Sequence, residues 1–175
     1  PNCMGLLNCI DKVYLGAGGS KWDLFTKKHC IGIVGQSVFI TAEIVSSDYF
    51  NISYGFSTGN GNIVTLEDAV DFLVDDDYAS VIAIYLEGLK NPQKFIDALK
   101  RAAQKRKPVI ILKSGRSEKG AISAASHTGN LAGSSKAFES IFEKYGVISV
   151  ENLEQFMCLA QAFSVLDGNL HANSN

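Results

Sequence analysis

The chain of 175 residues is short of several things, and each shortage removes a class of protein. No stretch approaches the roughly 18 uninterrupted apolar residues of a membrane-spanning helix. The four cysteines, Cys3, Cys9, Cys30 and Cys158, include no Cys-x-x-Cys pair and do not cluster with the three histidines. That removes the usual patterns of a zinc site or a disulfide scaffold, so no metal is expected and the thiols are read as free in a reducing cytoplasm. Charge of one sign is lacking too. A formal net charge of −2 offers no electrostatic case for nucleic acid or an anionic membrane as partner. There is no internal repeat, no low-complexity tract and no basic-then-apolar leader. The start, Pro1-Asn2-Cys3-Met4-Gly5 without an initiator Met, reads as a cut inside a longer polypeptide.

What is present, from residue 31 onward, is an alternation of two periods. Ile31–Gly35, Phe50–Tyr54, Val81–Leu86, Pro108–Lys113 and Val147–Val150 read as strands. Three of these are almost continuously apolar, as expected of strands covered on both faces of a parallel sheet. Between them the spacing turns helical. Thr65-Leu66-Glu67-Asp68 resembles a capping box, opening a helix that buries Ala69, Val70, Phe72 and Leu73. Asn91-Pro92 is a cap with proline at the first helical position, followed by the stripe Phe95, Ile96, Leu99, Ala102 and Ala103. Ala137, Phe138, Ile141, Phe142 and Tyr145 form another stripe, ended by Gly146, and Asn152 opens a last helix through Leu166. The expectation is an α/β fold: a flavodoxin-like, doubly wound three-layer sandwich with a mainly parallel sheet of about five strands. Residues 31–168 make up this domain. Residues 1–30, rich in glycine and small residues, read as a connector with at most one marginal strand, and residues 169–175, with His171, as a frayed tail.

In such a sheet ligands gather beyond the carboxyl ends of the strands, at the switch point between the first and the third. Gly35-Gln36-Ser37 follows the first strand and opens a helix; Glu87-Gly88 follows the third. After the fourth strand comes Ser114–Gly133, a segment of roughly 20 residues with no regular pattern, a length that is uncommon inside a compact domain unless it is functional or disordered. It is rich in glycine and alanine and holds His127. A neutral imidazole can accept a phosphoryl group on one ring nitrogen. A carboxylate such as Glu87 can hold the other, and the helix start at Gln36-Ser37 can cradle the anion. Taken singly, a loop histidine, a strand-end glutamate and a glycine turn each have ordinary explanations. Their convergence on one crevice is what points to phosphoryl transfer.

The local motifs go further. Lys113-Ser114-Gly115-Arg116 followed by Ser126-His127-Thr128-Gly129-Asn130-Leu131-Ala132-Gly133 closely resembles the signature of the NDP-forming acyl-CoA synthetases, the ADP-forming acetyl-CoA synthetase branch of the succinyl-CoA synthetase superfamily. Pro1-Asn2-Cys3-Met4-Gly5, Gly35-Gln36-Ser37, Ser57-Thr58-Gly59-Asn60 and Tyr85-Leu86-Glu87-Gly88 agree with it in order and spacing. The resemblance implies an acid–thiol ligase whose flavodoxin-like second domain carries a phosphohistidine. His127 would be that histidine and Glu87 its orienting carboxylate. Gln36, Ser37, Ser126, Thr128 and Gly129 would bind phosphate, with Lys113 and Arg116 in supporting or purely structural roles. It also implies company on the same chain or a partner subunit: an upstream CoA-binding domain, to which residues 1–30 connect, and an ATP-grasp domain. The complete enzyme would use CoA, ATP or ADP and Mg, none of them bound by this domain alone, with a carboxylic acid or acyl-CoA as substrate and homo-oligomerisation open. The isolated domain would be inactive.

One departure stands out: Val38-Phe39 replaces the glycine that the family usually has after Gln-Ser. It keeps a second reading open, a non-catalytic acyl-CoA-sensing domain of the kind attached to some protein lysine acetyltransferases, although a sensor needs no nucleophile. A flavin or response-regulator module fits the fold, but neither a strand-end aspartate nor a flavin phosphate loop is present.

Overall fold

A computed structural model describes residues 3–16, 30–45, 50–115 and 135–172. Their elements, in chain order, are β1 (Gly5–Asn8), β2 (Val13–Gly16), β3 (Cys30–Gly35), α1 (Val38–Val45), β4 (Ile52–Ser57), α2 (Leu66–Asp75), β5 (Ala79–Leu86), α3 (Pro92–Gln104), β6 (Val109–Lys113), α4 (Ser135–Tyr145), β7 (Ile148–Val150) and α5 (Leu153–Ala172).

The strands form one sheet of order β2-β1-β4-β3-β5-β6-β7. From β4 to β7 every neighbour is parallel. Counting only those five, the order is 2-1-3-4-5, the flavodoxin arrangement expected from the alternating pattern. Two apolar layers explain why the strands read as unbroken hydrophobic runs. On one face Val34, Ile82, Ile84, Leu86 and Ile111 pack under α2, α3 and α4 through Leu73, Phe95, Leu99, Phe138 and Phe142. On the other, Ile31, Ile33, Val81, Ala83 and Ile110 pack under α1 and α5 through Ile44, Phe156 and Ala160. Successive residues of β5 thus serve opposite cores, and the strand is apolar on both faces apart from Ser80 near its start, whose hydroxyl donates to Cys30 O.

The helix ends follow local chemistry. Thr65 caps α2 with a complete capping box: its side chain accepts from Asp68 N–H, and the Asp68 carboxylate accepts from Thr65 N–H. Asn91 caps α3 through Lys94 N–H, with Pro92 at the first position. Gly146, at φ +67°, ends α4 in the left-handed conformation that glycine adopts without strain. Between α2 and α3 runs a ladder of half-exposed ion pairs, Asp68–Lys94, Asp71–Arg101 and Asp75–Arg101–Lys105, each worth about 0–1 kcal/mol.

Four expectations need correction. Residues 3–16 are more than a connector: β1 and β2 form an antiparallel hairpin, and β1 adds antiparallel to the β4 edge, Leu6 opposite Phe56. The hairpin is too short for its turn to announce it, and Leu7 becomes recognisable as core only once it lies beside β4. Phe72 is not buried but 47% exposed, standing edge-on to Tyr54 (5.1 Å) and Phe56 (5.8 Å) at the outer margin of α2. The last helix runs to Ala172, beyond the expected Leu166 and into the expected frayed tail; residues 173–175 lie outside the described set. Strand β4 also begins two residues later than read and extends to Ser57.

Cys9 and Cys30 are buried, Cys3 and Cys158 exposed, and none of the four is in a disulfide. Burial, then the neighbouring Cys30, pushes the Cys9 thiol up to about 12, so at neutral pH it is an inert apolar group. No helix among the described residues is long and apolar enough to cross a membrane.

Candidate functional site

The site begins where β3 and β5 run out side by side. Their ladder ends with Gly35 opposite Tyr85. Gly35 is obligatory there for reasons of space: a Cβ would meet Thr41 Oγ1 at 2.2 Å, and Thr41 is needed at the base of α1, where its hydroxyl donates to Ser37 O at 2.7 Å. Ser37 is the first residue of the turn into α1. Its carbonyl accepts Thr41 N–H at 3.1 Å, and its hydroxyl accepts Ile40 N–H at 3.4 Å. The N–H groups of the first helical turn, from Val38 onward, have no acceptors within the helix, and the aligned peptide dipoles make that end electropositive. An anion arriving beyond the sheet edge would find donors there. Phe39, part of the unusual Val38-Phe39 pair, is 88% exposed and does not fill the space in front of this turn within the domain.

Gln36 is 4% exposed, and its side chain crosses to β5. Its Oε1 accepts Glu87 N–H at 2.7 Å and Gly88 N–H at 3.1 Å, while its Nε2 donates to Gly88 O at 2.9 Å. The carboxamide thus acts as a surrogate peptide that continues the β3–β5 ladder past its backbone end. Lys113, at the end of β6, closes from the other side: Nζ donates to Glu87 O at 3.0 Å and to Ser114 O at 2.6 Å, and lies 5.2 Å from the Phe138 ring centre. Its role within this domain is to hold backbone.

Glu87 is buried at this junction. Burial first, then the Glu87 carboxylate, raises the Tyr85 phenol above its usual value, against a Ser114 hydrogen bond that lowers it. Tyr85 is therefore a neutral donor-acceptor flanking Glu87, and composition gave no hint of that. A second unforeseen residue is Glu67, in the first turn of α2 and 1% exposed. Its Oε1 accepts both Lys90 N–H (2.6 Å) and Asn91 N–H (2.8 Å), tying the same β5–α3 connection from below. Its position in a capping-box helix start advertised exposure, and only its distance of 23 residues from Lys90 in sequence hides the pairing.

Of the expected site residues, Gln36, Ser37, Glu87 and Lys113 converge at the carboxyl ends of β3, β5 and β6. Arg116, Ser126, His127, Thr128 and Gly129 lie outside the described residues. The described part brings a buried glutamate with a clamped backbone and the start of α1 to the same edge of the sheet, through the Gln36 carboxamide. Next to it, at the end of β4, Thr58 N–H donates to Gly35 O at 2.9 Å and Met4 N–H to Ser57 Oγ at 2.9 Å. The Ser57–Asn60 turn therefore forms the rim of the same crevice, bordering a cavity of about 490 Å³ lined by Leu6, Phe56, Ile63 and Val64 among others.

The parallel strands β4-β3-β5-β6-β7 in flavodoxin order, with α1 starting and Glu87 buried at the switch point, define the class: a flavodoxin-like α/β domain. The chain belongs to the succinyl-CoA ligase-like flavodoxin domain family, whose model matches residues 28–163. It is 34% identical over 167 residues to the alpha subunit of an ADP-forming acetate–CoA ligase II of Pyrococcus furiosus, covering 94% of this chain and 35% of that one. It is also 34% identical over 168 residues to an ADP-forming 4-hydroxybutyrate–CoA ligase of Nitrosopumilus maritimus, 94% of this chain and 24% of that one. Among solved structures it resembles a dinucleotide-forming acetyl-coenzyme A synthetase 1 of Candidatus Korarchaeum cryptofilum in complex with phosphate and ADP, with a TM-score of 0.79, 33% identity, and coverage of 94% of this chain and 35% of that one. The chain thus spans about a third or less of the length of these relatives.

Proposed function

We propose that this chain is the phosphoryl-relay domain of an ADP-forming acyl-CoA ligase, with His127 as the carrier. The observation that carries the reading is that Glu87 and the Ser37 helix start leave the sheet side by side at the β3–β5 switch point, where Gly35 lies opposite Tyr85 and the Gln36 carboxamide accepts from Glu87 and Gly88 N–H. Its chemistry matches what a histidine carrier requires. One ring nitrogen of His127 attacks the phosphorus of an acyl phosphate; the bond from phosphorus to the acyl oxygen breaks, and its electron pair leaves with the carboxylate. The other ring nitrogen keeps its proton, donated to Glu87, which stabilises the positive charge. The phosphoryl oxygens meet the N–H groups at the start of α1, with Ser126, Thr128 and Gly129 adding donors from the histidine loop. Transfer to a terminal ADP oxygen regenerates neutral imidazole.

CoA, nucleotide and Mg sites are assigned to a CoA-binding module and an ATP-grasp module outside this domain, in keeping with the three- to fourfold greater length of the relatives. The relatives include an acetate and a 4-hydroxybutyrate ligase at the same 34% identity, so the likeness does not single out an acid. Both relatives bear ligase names, so the acetyltransferase-sensor reading gains nothing from them. The setting assigned to the enzyme is the cytoplasm, where its nucleotides and thioesters are found.

The test is phosphorylation of the complete ligase by Mg-ATP. The enzyme should gain an acid-labile phosphate, and His127→Asn should abolish it. Labelling that survives in the variant would sink the assignment.

A further inference from the structure

We infer that Gln36 is a positioning residue for Glu87: its carboxamide sets where the Glu87 carboxylate stands and does not itself bind the phosphoryl group. The inference rests on the relay reading and changes one part of it, since the sequence groups Gln36 with Ser37 as a common phosphate cradle.

The hydrogen-bonding capacity of a carboxamide is small: one oxygen with two lone pairs and two N–H donors. In Gln36 both lone pairs are taken, by Glu87 N–H (2.7 Å) and Gly88 N–H (3.1 Å), and one N–H donates to Gly88 O (2.9 Å). Two N–H groups face one end of the amide and a carbonyl faces the other, so the orientation of oxygen and nitrogen is dictated. Turning the side chain toward a ligand would strip three backbone groups of their partner in a buried site, where unpaired polar groups are most costly.

The effect falls on Glu87. Its peptide N–H is held by Gln36, and its carbonyl by Lys113 Nζ at 3.0 Å. Three residues further on, Glu67 pins Lys90 and Asn91. With both peptide groups of residue 87 held from different elements, the carboxylate retains only its own side-chain torsions. A group that must meet an imidazole nitrogen needs this, because a misplacement near 1 Å can cost about 100-fold in rate. Ser37 keeps the other half of the expected role, turning the chain so that the α1 N–H groups face the anion.

The experiment is a double-mutant cycle in the complete ligase, with the single variants Gln36→Met and Glu87→Gln and their combination. It reads the rate of acid-labile phosphoenzyme formation from Mg-ATP and, in the direction that consumes acyl-CoA, the KM for phosphate. Gln36→Met should slow phosphorylation about 10- to 100-fold while leaving the KM for phosphate within about twofold. In the Glu87→Gln background the same change should cost less than about threefold, because both variants disable one device. Gln36→Glu, which keeps the two acceptor bonds and loses the donor, should fall between wild type and Gln36→Met; it carries the cycle if Gln36→Met does not fold. Independent losses in the double variant, with a raised KM for phosphate, would show direct phosphate contact and overturn the inference while leaving the relay intact. A Glu87→Gln variant that phosphorylates at the wild-type rate would overturn the inference together with the orienting role of Glu87, whereas the relay itself falls only if His127→Asn is still labelled.

Discussion

Two connections leave the carboxyl edge of the same sheet and are built in opposite ways. The one after β5, residues 87–91, is polar, buried at Glu87, and held by side chains from three other elements: Gln36 after β3, Glu67 of α2 and Lys113 of β6. The one after β4, residues 58–65, is tied through backbone carbonyls, Thr58 N–H to Gly35 O at 2.9 Å, Lys90 Nζ to Gly61 O at 3.0 Å and Gly61 N–H to Thr58 O at 2.9 Å, and its Ile63 is 94% exposed. Side chains from three elements hold the backbone that carries Glu87, whereas the β4 connection leaves its tip in solvent. The first connection suits the placing of a catalytic group, and the second suits a surface.

That contrast can be broken by mutation, and the largest effect on stability should come from Glu67→Leu. It removes the shared acceptor of Lys90 and Asn91 in a buried position, so the domain should lose on the order of 3 kcal/mol, measured by urea unfolding. A loss below about 1 kcal/mol would mean that the clamp does little to hold the connection. Thr65→Ala, at the far end of the β4 connection, removes only a helix cap and should cost about 1 kcal/mol.

The cap also has a pH signature. The Lys94 ammonium, then Thr65 N–H and hydroxyl, draw the Asp68 carboxyl down from 3.8 to about 2. A carboxyl depressed in the folded state stabilises fully above its ordinary value, and that contribution fades as pH falls from about 4 toward 2. Thermal melts of Asp68→Asn should therefore lie below wild type at neutral pH and converge with it near pH 2. The difference should be small, because the pair is partly exposed and screened. Smallest of all, Ile63→Ser should change stability by less than about 0.5 kcal/mol; a larger loss would show that the second connection is packed after all.

Much of the scaffold was legible because its causes are local. Continuous apolar runs marked β3, β5 and β6, and the capping box at Thr65, the Asn91-Pro92 start and the Gly146 stop are each decided within a few residues. The candidate site was legible as a list of residues and less so as a mechanism. Gln36, Ser37 and Glu87 were placed at the correct strand ends, but the Gln36 carboxamide goes to backbone 52 residues away, a contact that no periodicity encodes. Phe72 read as core because an α2 stripe includes it; it lies at the margin, 47% exposed, with only one side against the rings of Tyr54 and Phe56.

By itself, then, the amino-acid order determined most of the strands and helices, the parallel order of the central sheet, and that Gln36, Ser37, Glu87 and Lys113 stand at its carboxyl edge, since short-range propensity and the rules of chain crossover suffice for those. Only the tertiary structure decided that β1 and β2 extend the sheet, that Glu67 and Lys113 serve as clamps, and that Gln36 is occupied in holding Glu87. Each of these is a hydrogen bond or strand pairing between elements distant in the chain, and its partner is chosen by where the packed core leaves an unpaired backbone group.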